Sequence, residues 1–229
     1  MEKDEDEILQ KLLIKSNTKQ KIYQNTHEMF QLLKQNAKEL TSEFKKELIK
    51  NKTNLPFEYT DKGEFNAELK FAGDMLIMTM HTNVFEFPRE HSILKTSYVT
   101  EDPLRGYCGV IYLYNFLADS FKYNRQDDLG YLVARIFINK DYHYFVEGKK
   151  QIGFLFNDFI NRVIDKKALR KILELAINYC IDFDLLTPPY DNIKEMTVGA
   201  MQENTNNINL KTGKRLGFLF RADALEMQK

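Results

Sequence analysis

The stretch from Tyr107 to Gly148 constrains this chain more than any other. It reads YCGVIYLYNFLADSF, then a polar break KYNRQDD, then LGYLVARIFINKDYHYFVEG. Aromatic and β-branched residues dominate it and proline is absent, which is the composition of strands buried in a sheet. Its 42 residues hold 11 of the chain's 29 Phe and Tyr, so the core is expected to be built around it. One charge, Arg135, interrupts the run YLVARIFI. A guanidinium inside a sheet must find a carboxylate or another acceptor, or it costs several kcal/mol.

The elements before this block set its surroundings. Residues 1–17 form an acidic start followed by Ile8, Leu9, Leu12 and Leu13, the pattern of a short helix or arm. Ser16-Asn17-Thr18 offers N-caps for the next helix. From Thr18 to Lys50 there is neither Gly nor Pro. Ile22, Met29, Leu33, Ala37, Leu40, Phe44 and Leu48 recur at steps of three and four, with Thr26 in the one gap, which predicts a helix over 18–50. Such a helix is about 50 Å long. Its apolar face either lies along the sheet of its own domain or pairs with a second copy of the chain.

NKTNLP (51–56) breaks the helix, and Phe57 to Phe87 reads as strands, with a hairpin turn at Gly73-Asp74. Residues 88–105, bracketed by Pro88 and Pro103, form a polar loop of the length expected for a lid or binding loop, with room for one short element. After the central block, Ile152 to Leu186 predicts two helices, the second capped by Asp165. A short run at Leu216–Phe220 can add a last strand. The fold class is therefore α+β: a mostly antiparallel sheet of about five strands, with a long N-terminal helix and a C-terminal helical pair packed on it. Residues 18–229 are expected to make one domain. This order of elements broadly resembles that of GAF- and PAS-like sensor domains, which pack helices on an antiparallel sheet.

Composition removes some functions. Thirty-three basic residues balance 33 acidic ones, so no global charge draws the chain to nucleic acid or anionic membrane. Cys108 and Cys180, both in apolar segments, cannot form a CxxC site and are expected to be reduced, buried thiols. The acidic start MEKDEDEILQ is unlike a signal peptide, and no apolar run reaches the ~18 residues of a membrane span. A cytoplasmic location with no membrane association is the expectation.

Two site readings stand. Glu147-Gly148-Lys149, with Asp127 and Asp128 upstream, follows the pattern of the PD-(D/E)xK nucleases. That resemblance implies Mg²⁺ held by Asp128 and Glu147, water positioned by Lys149, and a nucleic-acid substrate. Glu-x-Lys also occurs at Glu43 and Glu68, so the motif is common in this chain. The other reading is positional. If strands 131–138 and 142–147 are joined by the loop Asn139-Lys140-Asp141, Arg135 falls opposite Phe145, with His143 and Glu147 on the same face; a one-residue change of loop length separates them. Arg135 and Glu147 then form either a structural ion pair or an anion site walled by Tyr112, Tyr114, Tyr142 or Tyr144. Arg105, His91 and His81 can reach the same face. The function expected from this reading is a non-catalytic, sensor-like ligand-binding or protein-interaction domain that needs no cofactor. It would take a small anionic or nucleotide ligand through Arg135, His143, Glu147, Arg105 and His81, and would self-associate through helix 18–50 as a homodimer.

Overall fold

A computed structural model describes residues 2–126 and 128–184, together with Thr187, residues 189–199 and Met201. Asp127, the Asn-rich spacer and the strand expected at 216–220 lie outside the described residues.

The first helix, α1 (Glu2–Lys11), passes through a π-helical turn at Leu12–Ser16 directly into α2 (Asn17–Lys50). The cap expected at Ser16-Asn17-Thr18 is not used. Ser16 keeps right-handed helical backbone and makes no side-chain cap bond, while the Thr18 hydroxyl donates to the Ile14 carbonyl at 2.8 Å. Short hydroxyl side chains can return a bond to the preceding turn in this way without ending a helix.

Seven strands follow among the described residues: β1 (Phe57–Asp61), β2 (Asn66–Phe71), β3 (Asp74–Met80), β4 (Phe85–Glu86), β5 (Tyr107–Leu117), β6 (Tyr131–Ile138) and β7 (Tyr144–Gly148). All pair antiparallel in the order β1-β2-β3-β5-β6-β7, with two-residue β4 beside the start of β5. The sheet is a meander in the expected α+β class, with edge strand β1 and short β4 beyond the count read from sequence. The β2–β3 turn is Ala72-Gly73, since Phe71 pairs with Asp74, one residue earlier than Gly73-Asp74.

One face of the sheet carries Ala67, Leu69, Leu76, Met78, Ile111, Leu113, Ile136 and Ile138, all fully buried under α2 and α6 (Lys166–Ile181). The apolar stripe of α2, Met29, Phe30, Leu33, Ala37 and Leu40, is buried against this face, and Ile22 before it is buried too. The long helix therefore lies along its own domain. At Gly109 of β5 the helix comes so near that a Cβ would stand 2.1 Å from Thr26 Oγ1. Asp165 caps α6 as expected, accepting from the Ala168 amide at 2.7 Å.

The first helix expected after the central block is short. Only α5 (Gln151–Leu155) forms, and residues 156–164 run back beside β7. There the Val146 amide donates to Phe156, the Tyr144 amide to Arg162, and the Ile164 amide to the Tyr142 carbonyl. Strand β7 is last in the sheet, and its outward backbone groups need partners that a continuing helix could not supply.

The segment 88–105 is ordered by a 3-10 turn (Ser92–Lys95), α3 (Ser97–Glu101) and a second 3-10 turn (Pro103–Gly106). With Phe85, Phe87 and Phe159 it covers part of the sheet's second face, packing Ile93, Tyr98 and Val99 onto Cys108, Val110, Phe137 and Phe145. The remaining short helices are α4 (Ala118–Lys122) and α7 (Tyr190–Ile193). Among the described residues no helix is long and apolar enough to cross a membrane.

Candidate functional site

The part of the second face left by the 88–105 segment carries a row of side chains set by strand register. Thr79 of β3 pairs with Tyr112 of β5, Tyr112 with Arg135 of β6, and Arg135 with Glu147 of β7. All four are partly exposed. The row exists because of a bulge: Leu113 pairs with Ala134 but Tyr114 pairs with Leu132, leaving Val133 unmatched. Val133 and Ala134 are both buried on the helix side, and Arg135 points the other way. A bulge re-aims the strand by one residue, which places a charge at a core-like point in the sequence without burying it.

Arg135 Nη2 donates to Glu147 Oε2, and its guanidinium lies 5.3 Å from the Phe137 ring centroid. Both side chains of the pair are half-exposed, at 40% and 37%. Tyr112 and Tyr114 stack with centroids 5.9 Å apart and planes 26° from parallel. Partial burial raises the Tyr112 phenol above its ordinary range, with Arg135 pulling it back and Tyr114 adding to the rise. His91 sits over one end, Nε2 3.9 Å from Glu147 Oε1, and its Nδ1 accepts from the Ile93 amide to cap the 3-10 turn. His81 borders the other end, edge-on to Phe85 at 4.7 Å and 6.5 Å from the Tyr112 ring.

Arg135, Glu147 and His81 thus share one surface, and Arg105 and His143 belong to another. Arg105 stacks on Tyr98 at 4.4 Å, donates to the Tyr98 carbonyl, and approaches Asp141 at 3.4 Å. His143 stacks on the Tyr98 ring, 4.5 Å between centroids, with Nδ1 2.9 Å from the Phe159 carbonyl. Fully buried Asn139 joins this cluster: its side-chain oxygen accepts from the Asp141 and His143 amides, and its nitrogen donates to the Tyr98 hydroxyl and the Arg105 carbonyl. Lys140 pairs with Asp102, holding that carboxyl below its ordinary range, and Asn25 of α2 donates to the Asn139 and Lys140 carbonyls. The cluster clasps the 97–105 segment to the β6–β7 turn.

The β6–β7 register differs from the expected one by two residues. Arg135 stands opposite Glu147 rather than Phe145, because the connection spans residues 139–143 between the Ile138–Tyr144 pair. Asn139 folds that longer turn through its two accepted amide bonds, and Tyr142 takes a positive φ of 61°. An even shift keeps the faces, so Arg135, Phe145 and Glu147 remain on one side.

The nuclease set is dispersed. Asp128 pairs with Arg125 at 3.0 Å and accepts from Ser120 at 2.7 Å, both its side chain and that of Arg125 being buried. Glu147 is engaged by Arg135. Lys149 is exposed and lines a depression beside α6 with Ile152, Leu175 and Asn178. Among the described residues no group of three or more His, Cys, Asp or Glu side chains is placed to hold a metal ion.

Sequence reasoning missed Thr79 as a member of the row and Asn139 as the organiser of the clasp. Thr79 had no signal, because the β3–β5 register depends on tertiary packing. Asn139 did have one: an Asn just after a strand commonly folds its own backbone into a turn. Comparison with protein-family models, curated proteins and solved structures returned no match to this chain.

Proposed function

We propose that the chain is a non-catalytic, sensor-like binding module whose ligand is a small planar anion, a nucleotide being the chemical type. The observation that carries this reading is the Thr79–Tyr112–Arg135–Glu147 row, partly exposed on a sheet whose other face is buried under α2 and α6 from β2 through β6. Tyr112 and Tyr114 offer rings for stacking, and Arg135 offers a planar fork that fits phosphate or carboxylate. The Arg135–Glu147 pair supports the reading through its exposure: an ion pair this accessible adds on the order of 0–1 kcal/mol to stability, so exchanging Glu147 for a ligand oxyanion costs little. Arg105 and His143, held in the clasp, are not assigned to ligand binding.

The test is thermal denaturation with AMP, ADP and ATP, against adenosine and inorganic phosphate as probes of each half of the ligand. A ligand at 100 times its Kd adds about 2.7 kcal/mol to the folded state. Wild-type protein should be stabilised by at least one nucleotide more than by adenosine or phosphate alone. Arg135→Ala should abolish the effect and Tyr112→Ala should weaken it. No stabilisation by any nucleotide, or an equal shift in Arg135→Ala, would overturn the proposal.

A further inference from the structure

The helix that spans the sheet starts well outside it. From Asp4 to Asn17 every side chain is exposed. Ile8, Leu9, Leu12, Leu13 and Ile14 are each 52–59% accessible. At about 100° per residue, Ile8, Leu9, Leu12 and Leu13 fall within an arc of about 140°, forming one apolar stripe. The body of the protein is reached further along, where Lys15 and Lys19 each lie 5.4 Å from the Tyr107 ring. A single amphipathic helix of this length is marginal in water, and burial of its stripe against a partner is what stabilises such a helix.

The order of charges along this arm identifies the partner. Asp4, Glu5, Asp6 and Glu7 precede the stripe, while Lys11, Lys15, Lys19 and Lys21 lie within and after it. A sequence that runs acidic, apolar, basic is complementary to its own reversal. We propose that the arm pairs antiparallel with the same segment of a second copy, about a two-fold axis near Gln10 and Lys11. That arrangement sets the stripes face to face and brings Asp4–Glu7 beside the partner's Lys15. A parallel pair would set the four carboxylates against their own copies. The association surface is therefore the N-terminal extension, since the apolar stripe of α2 itself is already buried on the sheet. The pairing is independent of the ligand row.

Sedimentation equilibrium of the full chain across the micromolar range should give twice the monomer mass. Leu12→Asp with Leu13→Asp should give a monomer with an unchanged near-UV spectrum and a far-UV signal reduced by no more than the arm's share, because neither side chain packs on the body. Orientation is read by disulfide trapping, for which native Cys108 and Cys180 are silent because both are buried. A mixture of Glu5→Cys and Lys15→Cys chains should cross-link, and Glu5→Cys alone should not. A monomer mass throughout, a dimer that survives the double aspartate change, or self-cross-linking of Glu5→Cys would each overturn the proposal, as would one-to-one capture of a different protein by the arm in place of self-pairing.

Discussion

Gly109→Ala tests the seating of the long helix on the sheet, because two effects of opposite sign compete there. Glycine in a strand ordinarily costs about 0.5–1 kcal/mol relative to alanine, so an open site would gain stability. At this site the new Cβ would lie 2.1 Å from Thr26 Oγ1, 2.9 Å from Thr26 Cβ and 3.0 Å from its Cγ2, where carbon atoms rest at about 3.5–4.0 Å. Thr26 is fully buried and its hydroxyl donates to the Ile22 carbonyl at 2.7 Å, so rotation offers no relief and α2 must lift. Overpacking of this kind costs about 1–3 kcal/mol, and the upper end is expected where a helix layer moves as a unit. For a chain of this size about 3 kcal/mol lowers Tm by roughly 6–12 °C. Thermal melts and urea titrations followed by circular dichroism would measure it, with the m-value unchanged. Adding Thr26→Ala removes Oγ1 and Cγ2, leaving only the Cβ contact, and should recover about 1 kcal/mol or more in a double-mutant cycle. A Gly109→Ala protein within about 0.5 kcal/mol of wild type, or strict additivity with Thr26→Ala, would refute the seating.

Asn139→Ala should destabilise by about 3 kcal/mol in urea titration, because it strips the Asp141 and His143 amides of their acceptor at a fully buried turn; a loss under about 1 kcal/mol would remove the clasp from the account. Hydrogen bonds from Lys34 and Lys140 hold the Asp61 and Asp102 carboxyls below their ordinary 3.8. With the folded value depressed, their stabilisation is complete above that ordinary value and is lost as pH falls through the lowered one, so Tm should drop on acidification below about pH 4. Asp102→Asn should flatten part of that slope, and an identical slope in the variant would contradict the assignment. Burial raises both thiols, Cys108 and Cys180, so native protein should resist a thiol-specific chromophore until denatured, whereas rapid stoichiometric labelling without denaturant would show that they are not enclosed.

The sequence made legible those elements whose pattern is local. The long helix followed from the absence of Gly and Pro and from spacings of three and four, and the cap at Asp165 from a side chain that bonds its own turn. The strands of the central block followed from aromatic and β-branched density. Three features were hidden because they depend on distant partners. Residues 156–164 have helical spacing, yet the backbone of β7 claims them. Ser16–Thr18 looks like a helix start, but the Thr18 hydroxyl bonds back to the preceding turn and Ser16 keeps helical backbone. Arg135 reads as a buried charge because the bulge at Val133 leaves no mark in YLVARIFI. Register decided the candidate site: the turn at Asn139 is two residues longer than supposed, which kept Arg135 and Glu147 on one face and made them direct partners. Parity could not separate Arg105 and His143 from them, since that division comes from how the 88–105 segment lies across the sheet.

The most direct test of the binding row is amide and side-chain NMR of the full chain titrated with ADP, in wild type and in Arg135→Ala. The expected result is saturable shifts centred on Thr79, Tyr112, Tyr114, Arg135 and Glu147 that vanish in the variant. Shifts centred on another surface, or none in wild type at millimolar ADP, would contradict the assignment of this face as the ligand site.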